Sequence, residues 1–346
     1  MAMEGKQAPN ETASVARLVY AGIAGQVVSA IAELGVADRM TASPETAEQL
    51  AADLDLHADS LRRLLRAAAA LELVAMEPDG RFSITSMGER LRKGAPGSFA
   101  ALSLFIASDN VQATWRGLAH SVRTGDTAIR TIFGADSVFD LYAGDLRLAA
   151  LFDASMTALS ANIGPAVVKA YDFSSARLCI DVGGGEGRLL AAILRANPGL
   201  RGTVYELPLV ARKTRAYVAA QTLGDRCTVV EGDMFAAVPD GGDIYILSAV
   251  IHDWDDEDAL KILSSCRRAM KPEARLLVLD RVLADLPPHT AKDEVDALSD
   301  INMMLRTGGR ERSEAAFRSL LGSAGFSVKR VISTTSARSI VEAVPA

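Results

Sequence analysis

Asp181, Glu206, Asp233, His252 and Asp280 each stand at or just beyond the end of a short apolar run, and the first is followed by Gly183, Gly184, Gly185 and Gly187. Glycines so spaced let a backbone turn sharply and approach a ligand closely. The stretch Ile180-Asp181-Val182-Gly183-Gly184-Gly185-Glu186-Gly187 reads as a nucleotide-type cofactor loop between a buried strand and an Ala/Leu-rich helix. A dinucleotide fingerprint using Gly183 and Gly185 needs a small residue at 188, where Arg188 stands, so the loop is not a pyrophosphate cradle. A carboxylate buried without a partner is costly. Acids or a histidine at five successive run ends therefore argue for ligand binding rather than packing.

The runs that carry these residues are 178–181, 203–206, 227–230, 244–247 and 275–280, separated by helical patterns. That alternation predicts a parallel sheet covered on both faces, whose ligands bind outside the carboxyl ends of the strands. Two further strand candidates, 327–332 and 339–344, follow. Upstream, 46–54 and 58–73 read as short amphipathic helices, opened by Ser43-Pro44-Glu45-Thr46 as cap and first turn. A hairpin with a Pro78-Asp79-Gly80 turn is expected over 74–85, which together makes a winged-helix layout. A long apolar-periodic helix is expected over 149–168, with Phe152, Met156 and Leu159 on one face. The boundaries this gives are 1–98, 99–172 and 173–346.

Composition narrows the function classes. The 346 residues carry a net charge of −6, and within 41–92 acids outnumber arginines nine to six. A DNA-binding winged helix wants a basic face, so a winged-helix regulator is the disfavoured rival. Cys179, Cys227 and Cys266 are odd in number and lack Cys-x-x-Cys spacing, which fits reduced thiols in a cytoplasmic protein and gives no metal site. The apolar run 18–32 is short for a bilayer and is interrupted by Gln26 and Ser29, which predicts a buried helix, against this chain or a second subunit, and no membrane span.

The motif Asp181-Val182-Gly183-Gly184-Gly185-x-Gly187 resembles the first motif of class I methyltransferases, which bind S-adenosylmethionine. The run His252-Asp253-Trp254-Asp255-Asp256-Glu257, then Cys266 and Ala269-Met270-Lys271-Pro272, resembles the plant-type and hydroxyindole-type O-methyltransferases with their bacterial natural-product members. Asp300-Ile301-Asn302-Met303-Met304 and Gly308-Gly309-Arg310-Glu311-Arg312-Ser313 match that family's final motif, so the resemblance covers nearly the whole chain. It implies a Rossmann-like α/β domain of seven strands, preceded by a mostly helical winged-helix domain that forms a homodimer.

The resemblance assigns roles residue by residue. His252 corresponds to the general base, and Asp280 and Glu311 to the acids that hold it. Asp181, Gly183, Gly185, Glu206, Asp233, Met234, Phe235 and Ser248 are expected around S-adenosylmethionine, with Glu206 on the ribose hydroxyls and the Asp233 segment at the adenine; no metal is expected. Phe139, Phe152, Met156, Leu159, Asn302 and Met303 are candidates for the acceptor pocket, with core packing the alternative for each. Three positions depart from the pattern: Ser248 stands where Lys or Arg is frequent, Glu206 replaces Asp, and Asp280 replaces Glu. The expected reaction is methylation of a hydroxyl on a small aromatic metabolite. N- or C-methylation, or a non-methylating use of the cofactor, are the rivals within enzymes.

Overall fold

The computed structural model describes residues 11–95, 97–135, 137–284 and 290–346. The chain divides into two compact units, one running to Ala113 and including Tyr142–Ala161, the other made of Thr114–Leu141 and Asn162–Ala346. The helical stretch expected over 99–172 is thus shared between them.

In the first unit, helices Ala47–Leu54 and Ala58–Ala70 precede an antiparallel hairpin of β1 (Val74–Met76) and β2 (Phe82–Ile84), turned at Gly80 in the left-handed region. Leu50, Leu61, Leu65 and Phe82 form its core with Ile31 of the long helix Glu11–Glu33. The first short helix opens later than the sequence suggests. Thr46, not Ser43, is its cap: the Thr46 hydroxyl accepts from Gln49 N–H while Gln49 Oε1 accepts from Thr46 N–H. Glu45 is taken out of the helix by exchanging both backbone bonds with Phe82 of the hairpin.

Helix Glu11–Glu33 leaves Leu18, Val19 and Ile23 exposed at 69, 73 and 61%, although they are apolar. By length and composition it could also cross a membrane. The helix expected over 149–168 is broken into Leu146–Ser160 and Ile163–Ala170. Pro165 has no N–H to give an interior turn, so the chain restarts with that proline in a first turn, where no donor is needed.

The second unit is built on a seven-stranded sheet: β3 (Leu178–Val182), β4 (Arg201–Glu206), β5 (Cys227–Glu231), β6 (Ile244–Ser248), β7 (Arg275–Asp280), β10 (Phe326–Ile332) and β11 (Ser339–Pro345). Their order is β10-β11-β7-β6-β3-β4-β5. β3 to β7 run parallel; β11 lies antiparallel on β7, and β10 antiparallel on β11. Strand side chains alternate between faces. Ile180, Val182, Leu247 and Val278 pack on helices Asp256–Ala269 and Glu314–Ser323. Cys179, Ile246 and Leu277 pack on Ile163–Ala170, Arg188–Ala196 and Pro208–Ala220. Burial on both faces explains the near-continuous apolar runs and leaves the strand ends as the place for polar groups. A two-stranded parallel bridge, β8 (Val282–Leu283) with β9 (Arg312–Ser313), ties the segment after β7 to the chain some thirty residues later. Its register sets Val282 against Arg312, so Asp280 and Arg281 arrive beside Glu311.

Candidate active site

The glycine loop leaves β3 in the left-handed region at Gly183 (φ +67°) and Gly185 (φ +57°), a conformation that a side chain resists. Gly184 is needed for space, because a Cβ there would lie 2.7 Å from the Asp181 carboxyl. Glu206, at the end of β4, accepts Gly185 N–H at 2.9 Å through Oε2 and Leu207 N–H at 2.9 Å through Oε1. Thr214 donates to the Gly185 carbonyl at 2.6 Å, fixing the loop from the other side. Beneath it Asp181 is fully buried, and neither carboxylate oxygen has a hydrogen-bond partner among the described residues. Burial, reinforced by the Glu206 charge, pushes it up to about 7.

Such an orphaned acid under a glycine loop fits a ligand that brings its own positive charge, as the amino-acid end of S-adenosylmethionine does. Asp233 accepts Phe235 N–H at 2.9 Å and so shapes the turn after β5. Met234 lies against the glycine loop, its sulfur 3.9 Å from where a Gly183 Cβ would stand. Phe235 packs edge-on against Trp254, with centroids 4.8 Å apart, which joins this turn to the histidine segment. No group of His, Cys, Asp and Glu suited to a metal occurs among the described residues.

β6 ends at Ser248, and Ala249 takes φ +54°, rare for a residue with a Cβ, which bends the chain into the short turn Ile251–Asp253. Two neighbours hold this turn. Arg312, almost fully buried, donates to the carbonyls of Ile251 (2.9 Å) and Trp254 (3.0 Å) and pairs with Asp256 at 2.7 Å. Gly309 lies so close that a Cβ would fall 2.1 Å from the His252 carbonyl oxygen. The imidazole sits with Nδ1 3.1 Å from Glu311 Oε1, while Nε2 is 3.8 Å from Asp253 Oδ1 and forms no hydrogen bond among the described residues. Burial opposes its charge, but the carboxylates of Asp280, Asp253 and Glu311 outweigh burial and raise it to about 9.

Glu311 is itself anchored. Its Oε1 accepts the Ser299 hydroxyl at 2.8 Å, its N–H donates to Asp300 Oδ1 at 2.8 Å, and Arg281 stands 4.0 Å away while pairing with Asp296. Ser299, Asp300 and Asp296 all come from helix Ala291–Arg306. Asp280 behaves differently from Glu311: it is wholly buried, neither oxygen has a hydrogen-bond partner among the described residues, and it acts on His252 through space. Burial lifts Asp280 to about 6 against the pull of His252 and Arg338.

The structure thus brings together Asp181, Gly183, Gly185, Glu206, Met234 and, across the next strands, Ser248, His252, Asp280 and Glu311. Asn302 and Met303 lie on the helix that anchors Glu311. Phe152, Met156 and Leu159 lie in the other unit, where the Phe152 ring lies tilted against Tyr142 at 4.8 Å and Phe105 at 5.6 Å between centroids. The Phe139 side chain lies outside the described residues. Sequence reasoning passed over Asp253, Arg281, Ser299, Asp300, Arg312 and Arg338. Asp253, Asp300 and Arg312 stand inside the family-like motifs, so their place in those motifs was the available signal.

Two family models match the chain: an O-methyltransferase domain over residues 115–327 and an O-methyltransferase dimerisation domain over residues 17–94. The chain is 37% identical to the phenazine O-methyltransferase PhzM of Lysobacter antibioticus, over 91% of this chain and 90% of that one. It is 39% identical to the aclacinomycin 10-hydroxylase RdmB of Streptomyces purpurascens, over 86% and 79%. Among solved structures, CalO1, a methyltransferase of calicheamicin biosynthesis in its S-adenosylhomocysteine-bound form, superposes with a TM-score of 0.85 at 33% identity, covering 99% of this chain and 100% of that one. With a glycine loop over a buried acid and a carboxylate-held histidine at the ends of neighbouring strands, and with these matches, the chain belongs to the O-methyltransferase family, as an S-adenosylmethionine-dependent enzyme that carries the family's dimerisation domain.

Proposed function

We propose that the protein methylates a hydroxyl of a small aromatic metabolite, with His252 as the general base, and that it works as a homodimer in the cytoplasm. The observation that carries the base assignment is the Nδ1 contact with Glu311 at 3.1 Å, which leaves Nε2 as the proton acceptor. S-adenosylmethionine, when bound, supplies a methyl group on a sulfonium that leaves as a neutral thioether. His252 takes the hydroxyl proton as the oxygen's lone pair engages that carbon. A phenol loses its proton near ~10, so an imidazole raised to about 9 makes the transfer nearly even in energy. Glu311 and Ser299 hold the ring, and Asp280 and Asp253 stabilise the imidazolium that forms. Glu206 is the ribose acceptor and Asp181 the partner of the cofactor's amine.

Exposed Leu18, Val19 and Ile23 lie within the matched dimerisation domain, which favours a second subunit over a bilayer as their cover. The three cysteines, all unpaired and buried, fit a reducing compartment. A second reading, a non-methylating reaction on the same fold, is favoured by the relative named as a hydroxylase. Labelled cofactor with matched phenol and arylamine acceptors, each followed by mass spectrometry, tests the reading. Label on oxygen supports it. Label on nitrogen alone, or an oxygenated product without label, replaces it.

A further inference from the structure

Arg338 is the residue just before β11. Because β11 runs antiparallel to β7, with Ser339 paired to Asp280, Arg338 arrives at the edge where the parallel strands end. Its backbone is pinned there. Arg338 N–H donates to Ser336 Oγ at 3.2 Å, and its carbonyl accepts the Thr334 hydroxyl at 2.6 Å. The guanidinium crosses the end of β7 and donates Nη1–H to Ser248 Oγ, on β6, at 3.0 Å. Ser248 is the position that lacked an expected cation, and here a cation reaches it from ninety residues further along the chain.

The charged groups around His252 come from every element packed on it. Asp253 comes from its own turn, Asp280 from the end of β7, Glu311 from the segment before β9, and Asp300 from the helix behind Glu311. Arg281 follows β7 but is paired with Asp296, and Arg312, beneath the His252 turn, is paired with Asp256. Arg338 has no carboxylate within 4 Å among the described residues, yet its charge is felt by Asp280, Asp253 and Glu311 together. Burial works against that charge, so the guanidinium is kept in place by the acids and the Ser248 anchor.

We propose that Arg338 is a positioning residue for the base: anchored on Ser248, it holds a fixed positive charge against Asp253, Asp280 and Glu311, and so lets His252 release its proton at a lower pH than the three acids alone would allow. This rests on His252 being the base. The sign is unambiguous, because the reactive state is the most deprotonated one, and removing a fixed cation disfavours that state.

The test is the pH dependence of turnover on one phenolic acceptor, together with the ring-proton NMR titration of His252, identified by its loss in His252→Ala. In Arg338→Met both midpoints rise by ~0.5–1 pH unit. Turnover at neutral pH falls by ~3–10-fold and recovers above the shifted midpoint. Arg338→Lys keeps the wild-type midpoint, and Ser248→Lys in the Arg338→Met background restores it. Ser248→Lys alone, which does not depend on Arg338→Met folding, moves the midpoint down. An unshifted midpoint in Arg338→Met or Ser248→Lys, or an equal loss of turnover at every pH, overturns the proposal while leaving the base reading intact. An acid limb that survives in His252→Ala overturns both.

Discussion

His252 Nδ1 and Glu311 Oε1 lie 3.1 Å apart, and the same oxygen accepts the Ser299 hydroxyl at 2.8 Å. One acceptor taking two donors decides the tautomer of a neutral imidazole: the proton sits on Nδ1, and Nε2 keeps the lone pair. Glu311 is therefore both a clamp and a charge, and the two roles separate experimentally.

Glu311→Gln keeps an acceptor for Nδ1 but removes a negative charge that raises His252. The acid limb of the pH–turnover profile should move down, by ~1 pH unit, with a modest loss at the plateau. His252→Ala should lose ~10²–10⁴-fold with cofactor affinity near wild type. Folding stability carries the same signature. His252 is raised to about 9 from 6.5. Its contribution is therefore full below ~6.5 and is lost as pH rises through ~9. Denaturant melts of wild type and His252→Ala across that window should converge at the alkaline end; parallel curves would contradict the raised histidine.

Asp181 predicts the opposite trade between stability and binding. Its folded value of about 7 lies above the usual 3.8, so its contribution favours the fold below ~4 and is lost as pH rises through ~7. Asp181→Asn should make the cofactor-free protein more stable at pH 8 by ~2 kcal/mol, the relief of charge burial less the cost of burying an amide. It should also weaken S-adenosylhomocysteine in calorimetry. A variant less stable than wild type at pH 8 would remove the assignment.

Gly309→Ala tests the packing beneath His252. The added Cβ meets backbone atoms, 2.1 Å from His252 O and 2.4 Å from Asp253 C, which cannot swing aside as a side chain can. Turnover should fall by ~10²-fold or more through misplacement, with a stability loss of ~1–3 kcal/mol. Gly199→Ala, which meets nothing within 4 Å, is the control and should leave both unchanged.

Val19→Glu with Ile23→Glu places two charges on the exposed apolar face of helix Glu11–Glu33. Sedimentation should show a dimer for wild type and a monomer for the double variant, since a desolvated unpaired charge disfavours an interface by several kcal/mol. A wild-type monomer would refute the dimer.

What the sequence made legible was mostly local. Acids at strand ends and the glycine spacing could be read because each is set by a few neighbouring residues, and Asp181, Glu206 and Asp280 do stand where strands finish. The wing hairpin was legible for the same reason, through its Gly80 turn. The helix start at Thr46 was misread because Glu45 is claimed by Phe82, a partner 37 residues away. The site's supporting charges are more distant still. Arg312 holds groups 56 to 61 positions upstream, and Arg338 reaches Ser248 across ninety. Nor could the sequence show that Asp280 and Glu311 act differently, one through space and one through a hydrogen bond, since that depends on the register of the β8–β9 bridge.

The antiparallel placement of β11 has a consequence for how the protein is made. A ribosome delivers the glycine loop first, His252 about seventy residues later, and Arg338 later again, just before the strand that covers the open side of β7. Until that strand docks, Leu277 and Leu279 lie along an unpaired edge and the acids beside His252 lack their fixed counter-charge. The nascent domain can thus hold nearly all of its residues before Arg338 reaches Ser248. The last strand of the sheet therefore does two things at once: Ser339 to Ala343 close the edge of β7, and the residue just before them brings its charge to Ser248.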